Sequence, residues 1–391
     1  MVPEQEGLAD TLDPDRAKFQ QYCRMFSILR ENPECVASLC RAVKMSEIGH
    51  LLQTIMFSLY GTEGDERTEQ LLMSVCESVL SVQFEASTEF ASLLRANTAT
   101  SRLLITYTRR AANKNYLKSV LTAPISMLID QDDIDLEINT AKVGYELQSQ
   151  VAMGQEGSEP TSVPPSEASD MSIPDEDVQT LVAERIGRLQ EIADRFLSAI
   201  INSKDSIPHG IRRICEQIRA LSCRRYPEAT DDAVTSLIGT FFFLRFTNPA
   251  IVTPQAYHLV EGVPPKYSRR TLTLVAKMLQ NLVNKPSYVK EPYMAPLHPF
   301  IEKNGPRLAR FLSDICVIDD YNQYTADTPS SIRVTHNEMY NTHRLVSKYI
   351  DDLEPQSISD KLRCLLDELG EAPDALPRSD DQVVTLPLSL L

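Results

Sequence analysis

With 391 residues, 42% of them hydrophobic, the chain has ample material for a core, while its formal net charge of −15 argues against nucleic acid or an acidic membrane as the main ligand. Tryptophan is absent, glycine is sparse at 13, and leucine-rich segments recur at helical spacing, so composition and period together point to an all-α protein. The eight cysteines, at 23, 35, 40, 76, 215, 223, 316 and 364, form no CxxC pair and the six histidines never cluster at ligand spacing, which argues against a metal site and for a reduced, cytoplasmic protein without a secretory signal or a membrane-spanning run.

Residues 1–18 are polar and are expected to be disordered, and the first amphipathic helix is marked by Phe19, Tyr22, Cys23, Phe26 and Leu29 at spacings of three and four. Further helices are predicted over 34–60, 66–83, 87–94 and 98–111, with breaks at Gly61–Asp65 and at a short turn around Arg95. Asn97 or Thr98 can cap the helix carrying Leu103, Leu104 and Tyr107, which leaves Arg95 in the turn just before it, pointing to solvent or to a partner. Most turn arginines are merely solvated, so Arg95 alone carries little.

Serine, glutamate, glycine and proline dominate 153–175, a composition read as a mobile insertion. Helix resumes after Pro174 with Asp175, Glu176 and Asp177 at its start, and another follows Ile207-Pro208-His209-Gly210. From about Thr230 an apolar face of Ala233, Val234, Leu237, Ile238, Phe241 and Phe242 delivers Arg245 to the rim of a buried stripe. Such an arginine ordinarily snorkels or satisfies helix C-terminal carbonyls. Asn248-Pro249 is expected to end this helix, because proline lacks an N–H and disfavours the α region in the residue before it. In the helix from Arg269 to Asn284, Leu272, Val275, Ala276, Leu279, Leu282 and Val283 share one face, and Arg270, Thr273, Lys277, Asn281 and Asn284 the other, which suits either solvent or a protein partner. After Pro373 the tail is acidic and proline-punctuated and ends in an apolar run, expected as a peripheral docking strand or a disordered tail; no βαβ alternation, hairpin signal or repeat is seen.

Local charge runs against the net balance. Phe90–Ile129 contains no acid but holds Arg95, Arg102, Arg109, Arg110, Lys114 and Lys118, and Ala233–Lys290 holds Glu261 alone against seven cations. Two such windows are either solvated faces or one composite basic surface for an anionic partner. Nucleotide-binding glycine loops, the G-x-S-x-G elbow and H-E-x-x-H are all missing, so no self-contained active site is expected and any catalytic role is supplied to another protein.

Leu94-Arg95-Ala96-Asn97 and the run from Phe243 to Pro254 resemble the GTPase-activating domain for Ras-type small GTPases, and Ile207–Arg212, Arg270–Asn281, Glu291-Pro292-Tyr293-Met294 and Pro299-Phe300-Ile301 add to the likeness. Asn337–His343 and Leu365–Pro373 are most similar to the IQGAP-like and fungal branch, in which IQGAP proteins carry a threonine at the position of Arg95 and bind Rho-family GTPases without accelerating hydrolysis. The resemblance implies an all-α RasGAP domain over 19–350, with a catalytic part at about 87–300, flanking helices at about 19–86 and 301–350, and a C-terminal extension over 351–391. It further implies a protein that stimulates GTP hydrolysis by inserting Arg95 in trans, with Arg245 stabilising the finger loop and Thr98 shaping it. Leu94, Asn97, Thr98, Leu244, Asn248, Pro249, Lys277 and Asn281 are the positions it implies at or near the GTPase. No cofactor is implied, since GTP and Mg²⁺ belong to the GTP-bound partner; nucleic acid and membrane insertion are not, and the expected location is cytoplasmic with peripheral recruitment to the membrane where Ras resides. The alternative is a non-catalytic, IQGAP-like module that binds GTP-loaded GTPases as a scaffold or effector.

Overall fold

The computed structural model describes residues 14–62, 65–131, 134–154, 175–284, 291–318 and 331–388. They divide into two compact units, one made of Met1–Ala111 with Asp319–Leu391 and the other of Ala112–Ile318. Residues 87–111, expected with the catalytic part, thus belong to the first unit, because Arg110 is buried there and donates from Nη1 to the carbonyls of Met56 and Tyr60, both at 2.7 Å. The two arginines singled out above, Arg95 and Arg245, belong to different units.

Helix α1 (Pro14–Glu31) opens inside the segment expected to be disordered, with proline in the first turn, where its missing N–H costs nothing. Residues 1–13 lie outside the described residues, as do 155–174 of the expected insertion. Tyr22, Met25, Phe26 and Leu29 face the core, and Arg30 beside them is buried too, donating to Thr68 at 2.6 Å while its carbonyl accepts from the Tyr60 hydroxyl at 3.0 Å.

The helix predicted over 34–60 is broken. Helix α2 (Pro33–Ala42) stops at Val43, whose φ/ψ of −68°/132° is extended, and α3 (Ile48–Thr54) continues into a π-helical segment, Ile55–Leu59. Side chains from elsewhere hold the break: Lys44 N donates to the Tyr349 hydroxyl at 3.3 Å, and Glu47 pairs with Lys348 at 2.8 Å. Helix α4 (Glu66–Ala86) is capped by Asp65, as the glycine-rich break at 61–65 suggests. In place of the helix predicted at 87–94 there is a 3-10 turn, Phe90–Ser92, because the Ser87 and Ser92 hydroxyls both bond the Glu89 carbonyl and compete with helical pairing. Helix α5 (Ala99–Tyr107) follows.

The second unit holds α6 (Ala111–Ile129, whose first residue belongs to the first unit), α7 (Thr140–Gly154), α8 (Asp175–Asn202), α9 (His209–Arg225), α10 (Asp231–Gly239), α11 (Asn248–Val252), α12 (Lys266–Val283) and α13 (His298–Ile315). Gly239 is where α10 comes so near its neighbours that a Cβ would collide with Val283 and touch Leu312. The chain then returns to the first unit with β1 (Ser331–Thr335), α14 (His336–Lys348), α15 (Gln356–Leu369) and β2 (Val383–Pro387). The architecture is all-α apart from the antiparallel β1–β2 pair, with Ser331 opposite Pro387 and Thr335 opposite Val383. The tail therefore docks as a strand, pinned also by Asn337, whose side chain donates to the Leu376 carbonyl at 3.0 Å and accepts from the Leu376 amide at 2.7 Å. Among the described residues no helix is long and apolar enough to cross a membrane.

Candidate functional site

The Arg95 loop has a buried foot and an exposed tip. Leu93 and Leu94 sink into the core of the first unit, and Arg95, Ala96 and Asn97 stand out from it. Leu94, expected at the partner surface, is only 1% exposed, so it anchors the loop instead of presenting itself. On the near side, Arg95 N donates to the Ser92 carbonyl at 3.0 Å. On the far side, Thr98 is the N-cap of α5: its hydroxyl accepts from Ser101 N at 3.2 Å, and the Ser101 hydroxyl accepts from Thr98 N at 2.9 Å. This capping box satisfies two helix-end donors and fixes where the loop re-enters helix. Asn97 is not the cap; its Oδ1 accepts from Arg102 Nε at 3.1 Å.

In the second unit, α10 starts as the sequence suggests, with Thr230 capping it and Asp231 and Asp232 in its first turn. It passes without interruption into a π-helical segment, Thr240–Thr247. Phe241, Phe242, Phe243 and Phe246 are all fully buried, so this segment is enclosed on most sides. The Phe242 ring packs edge-on against Phe243, Phe246 and Phe311 at 5.4, 5.7 and 5.5 Å between centroids, and Phe246 stacks on Tyr116 at 5.8 Å. Leu244 and Arg245 take the remaining outward side, Leu244 at 36% exposure and Arg245 half-buried. Burial pulls the Arg245 guanidinium below the usual arginine pKa, yet leaves it a cation at neutral pH.

Asn248-Pro249 does not end the helix. Thr247 and Asn248 keep helical dihedrals, Asn248 N donates five residues back to the Phe243 carbonyl, and Pro249 sits in the first turn of α11. The wider π turn shifts the bonding partners just where proline can give no N–H, and the Thr247 hydroxyl covers the Phe242 carbonyl at 2.9 Å. Asn248, expected at the partner surface, is 8% exposed, and its amide donates to Ala276 O at 3.2 Å and Gln280 Oε1 at 3.1 Å. It thereby joins the 244–249 stretch to α12 beside Lys277 and Asn281, both half-buried. Pro249 is half-buried as well.

The polar face of α12 is partly internal. Arg270 forks onto Glu137, Nε to Oε2 at 2.9 Å and Nη2 to Oε1 at 3.0 Å, and Lys277 pairs with Glu291 and reaches the Tyr293 hydroxyl at 3.2 Å. Burial alone would raise the Glu137 carboxyl, but the Arg270 fork, the Asn139 amide and Lys142 outweigh it and hold the pKa at about 2. Burial likewise works against the charge on Lys277, and its bonds to Glu291 and Tyr293 reverse this and raise its pKa. Glu291→Gln is therefore expected to lower the Lys277 pKa, read from the lysine side-chain resonances in an NMR pH titration; an unmoved value would show that Glu291 does not hold the ammonium.

Residues 75–284 match the family described as GTPase-activator protein for Ras-like GTPase. The chain belongs to this family. The RasGAP match contains Arg95, Arg245 and Lys277 but stops short of Glu291 and Tyr293. Among similar proteins are the Ras GTPase-activating-like protein rgaA of Dictyostelium discoideum, 28% identical over 96% of this chain and 47% of its own length, and human Ras GTPase-activating-like protein IQGAP3, 26% identical over 95% of this chain and 24% of its own. Bovine Ras GTPase-activating protein 1 is 33% identical over 36% of this chain and 13% of its own. The chain thus spans about half the length, or less, of the curated relatives it matches.

Sequence reasoning did not single out Arg102 as a residue that holds the Arg95 loop, nor Glu137, Glu291 and Tyr293 as partners of the polar face of α12. Glu137 lies 133 residues before Arg270 and nothing local marks it, whereas Glu291-Pro292-Tyr293 stood within the family likeness as a motif without an assigned task. Among the described residues, no group of three or more His, Cys, Asp or Glu side chains is placed to hold a metal ion.

Proposed function

We propose that the chain is an active GTPase-activating protein that stimulates GTP hydrolysis by a Ras-type small GTPase through Arg95. The observation that carries this reading is the setting of Arg95, an exposed arginine at the tip of a short loop whose foot is buried and whose exit is fixed by a capping box. In phosphoryl transfer the negative charge spreads over the γ-phosphoryl oxygens, and a guanidinium supplied in trans adds the one positive donor that the GTPase lacks beyond its own P-loop lysine and Mg²⁺. A loop already held in shape loses little entropy on insertion. Arg245 is assigned the supporting role, and its half-buried place beside four buried phenylalanines suits a side chain held from behind. GTP and Mg²⁺ are held by the partner, so the chain completes an active site without owning one.

Similarity to human IQGAP3 and IQGAP2 along nearly the whole chain keeps open the second reading implied by the IQGAP-like resemblance, a scaffold that binds a GTP-loaded GTPase without accelerating it. The two differ in their affinity for a mimic of the transferring phosphoryl group. An activator is expected to form a stable complex with Ras bound to GDP and aluminium fluoride, and to lose it in Arg95→Ala. A scaffold binds the GTP form and gains nothing from the mimic.

A further inference from the structure

We infer that Arg102 is the positioning residue of the Arg95 loop, tying the exposed tip at Asn97 to the Met45 turn between α2 and α3. Its guanidinium faces two separate loops: Nε donates to Asn97 Oδ1 at 3.1 Å, and Nη1 donates to the Met45 carbonyl at 2.8 Å. Asn97 is two residues beyond Arg95, so a restraint there acts on the part of the loop that carries the finger. The Met45 turn is itself held: on one side of it Lys44 N donates to the Tyr349 hydroxyl at 3.3 Å, and on the other Glu47 Oε2 accepts from that hydroxyl at 3.0 Å and from Lys348 Nζ at 2.8 Å. The tip is thus connected through Arg102 to Lys348, the last residue of α14, and to Tyr349 just beyond it, well away from the loop in sequence.

Helix propensity does not account for an arginine here. Position 102 lies at the beginning of α5, where the helix dipole disfavours a cation, and the first turn has no acidic residue to offset it. A planar fork with donors on two edges can satisfy an amide oxygen and a backbone carbonyl at once, which a lysine ammonium on a flexible stem does poorly. The capping box fixes the loop's exit and the Ser92 carbonyl its entrance; Arg102 adds the tie at the exposed residue between them.

This inference rests on Arg95 being the catalytic finger. It is tested by single-turnover GTP hydrolysis on a Ras-type GTPase, with saturating full chain in the wild-type, Arg102→Ala, Arg102→Lys, Asn97→Ala and Arg102→Ala/Asn97→Ala forms. Arg102→Ala is expected to cut the saturated rate on the order of 10- to 100-fold, as a misplaced catalytic group does. The Kd for the GTP-loaded GTPase and the urea midpoint should hardly move, Arg102→Lys should recover part of the rate, and the double variant should be no worse than the worse single one. An unchanged rate in Arg102→Ala, a loss confined to Kd, or losses that multiply in the double variant would overturn it. Should Arg102→Ala fail to fold, Asn97→Ala decides, since Asn97 is exposed and its full activity would overturn the tie. Absence of acceleration by the wild-type chain would defeat the proposed function itself, and is seen before any variant is compared.

Discussion

Arg95→Ala is expected to bind a GTP-loaded Ras-type GTPase within a few-fold of wild type and to lose nearly all acceleration of hydrolysis. The substitution removes an exposed side chain and leaves the buried foot at Leu93 and Leu94 and the Thr98–Ser101 capping box in place, so the surface offered to the partner keeps its shape. On the proposed mechanism, what disappears is a cation at the place where charge develops. For Ras and its activating proteins that contribution is about 10³–10⁵ in rate, a magnitude established for that system and taken over as it stands, equal to roughly 4–7 kcal/mol of barrier. Because the effect belongs to the transition state, it should appear in the saturated rate and not in ground-state affinity. Substantial acceleration by Arg95→Ala would remove the arginine from the mechanism.

Glu137→Ala is expected to destabilise the second unit by about 3 kcal/mol, the lower end of the range for breaking a buried ion pair, since Arg270 retains some solvent access. Glu137 is 7% exposed and accepts from the Arg270 fork, from the amides of Ile138 and Asn139 at 3.1 and 3.0 Å, and from Lys142 at 3.3 Å. Losing it leaves a guanidinium and two loop amides without their acceptor. Its pKa also dictates how the loss depends on pH. The folded value, about 2, lies below the ordinary 4.5, so the stabilisation is complete above about 4.5 and is lost as pH falls from there towards 2. Urea unfolding followed between pH 7 and pH 3 should show a wild-type decline that is shallower in Glu137→Ala; identical slopes would mean that Glu137 is not the group being titrated.

These two residues also mark what can and cannot be seen in a sequence. The Arg95 loop was legible because its determinants are local: apolar residues before it, capping residues after it, and an arginine between them. The helix expected over 87–94 ahead of it proved to be a 3-10 turn, and of the two cap candidates, Asn97 and Thr98, Ser101 three residues beyond Thr98 supplies the reciprocal bond that favours Thr98. Glu137 was not legible, because a carboxylate acquires its role from an arginine far along the chain. The same holds for the break between α2 and α3, which is held by Tyr349 and Lys348, and for the β1–β2 pair, which has no hairpin turn to announce it.

Asn248-Pro249 was misjudged for a different reason. Proline stops a regular α-helix, but a π-helical turn changes the hydrogen-bonding interval and lets helical dihedrals run through to Val252. The basic windows were visible as charge but not as use. Arg110, Arg102, Arg270 and Lys277 are all engaged inside their own units, so each window offers less free positive charge than its composition suggests. Leu94 and Asn248 were likewise placed near the partner by resemblance, and burial makes both of them supports.

The measurement that bears most directly on the central claim is single-turnover hydrolysis of GTP by Ras-type, Rap and Rho-family GTPases, each loaded with GTP and mixed with an excess of the wild-type chain. Acceleration of several orders of magnitude with a Ras-type GTPase is the expected result. Tight, GTP-dependent binding with the intrinsic rate unchanged across the panel would contradict it, and would make the chain a GTPase-binding scaffold that happens to carry an arginine at position 95.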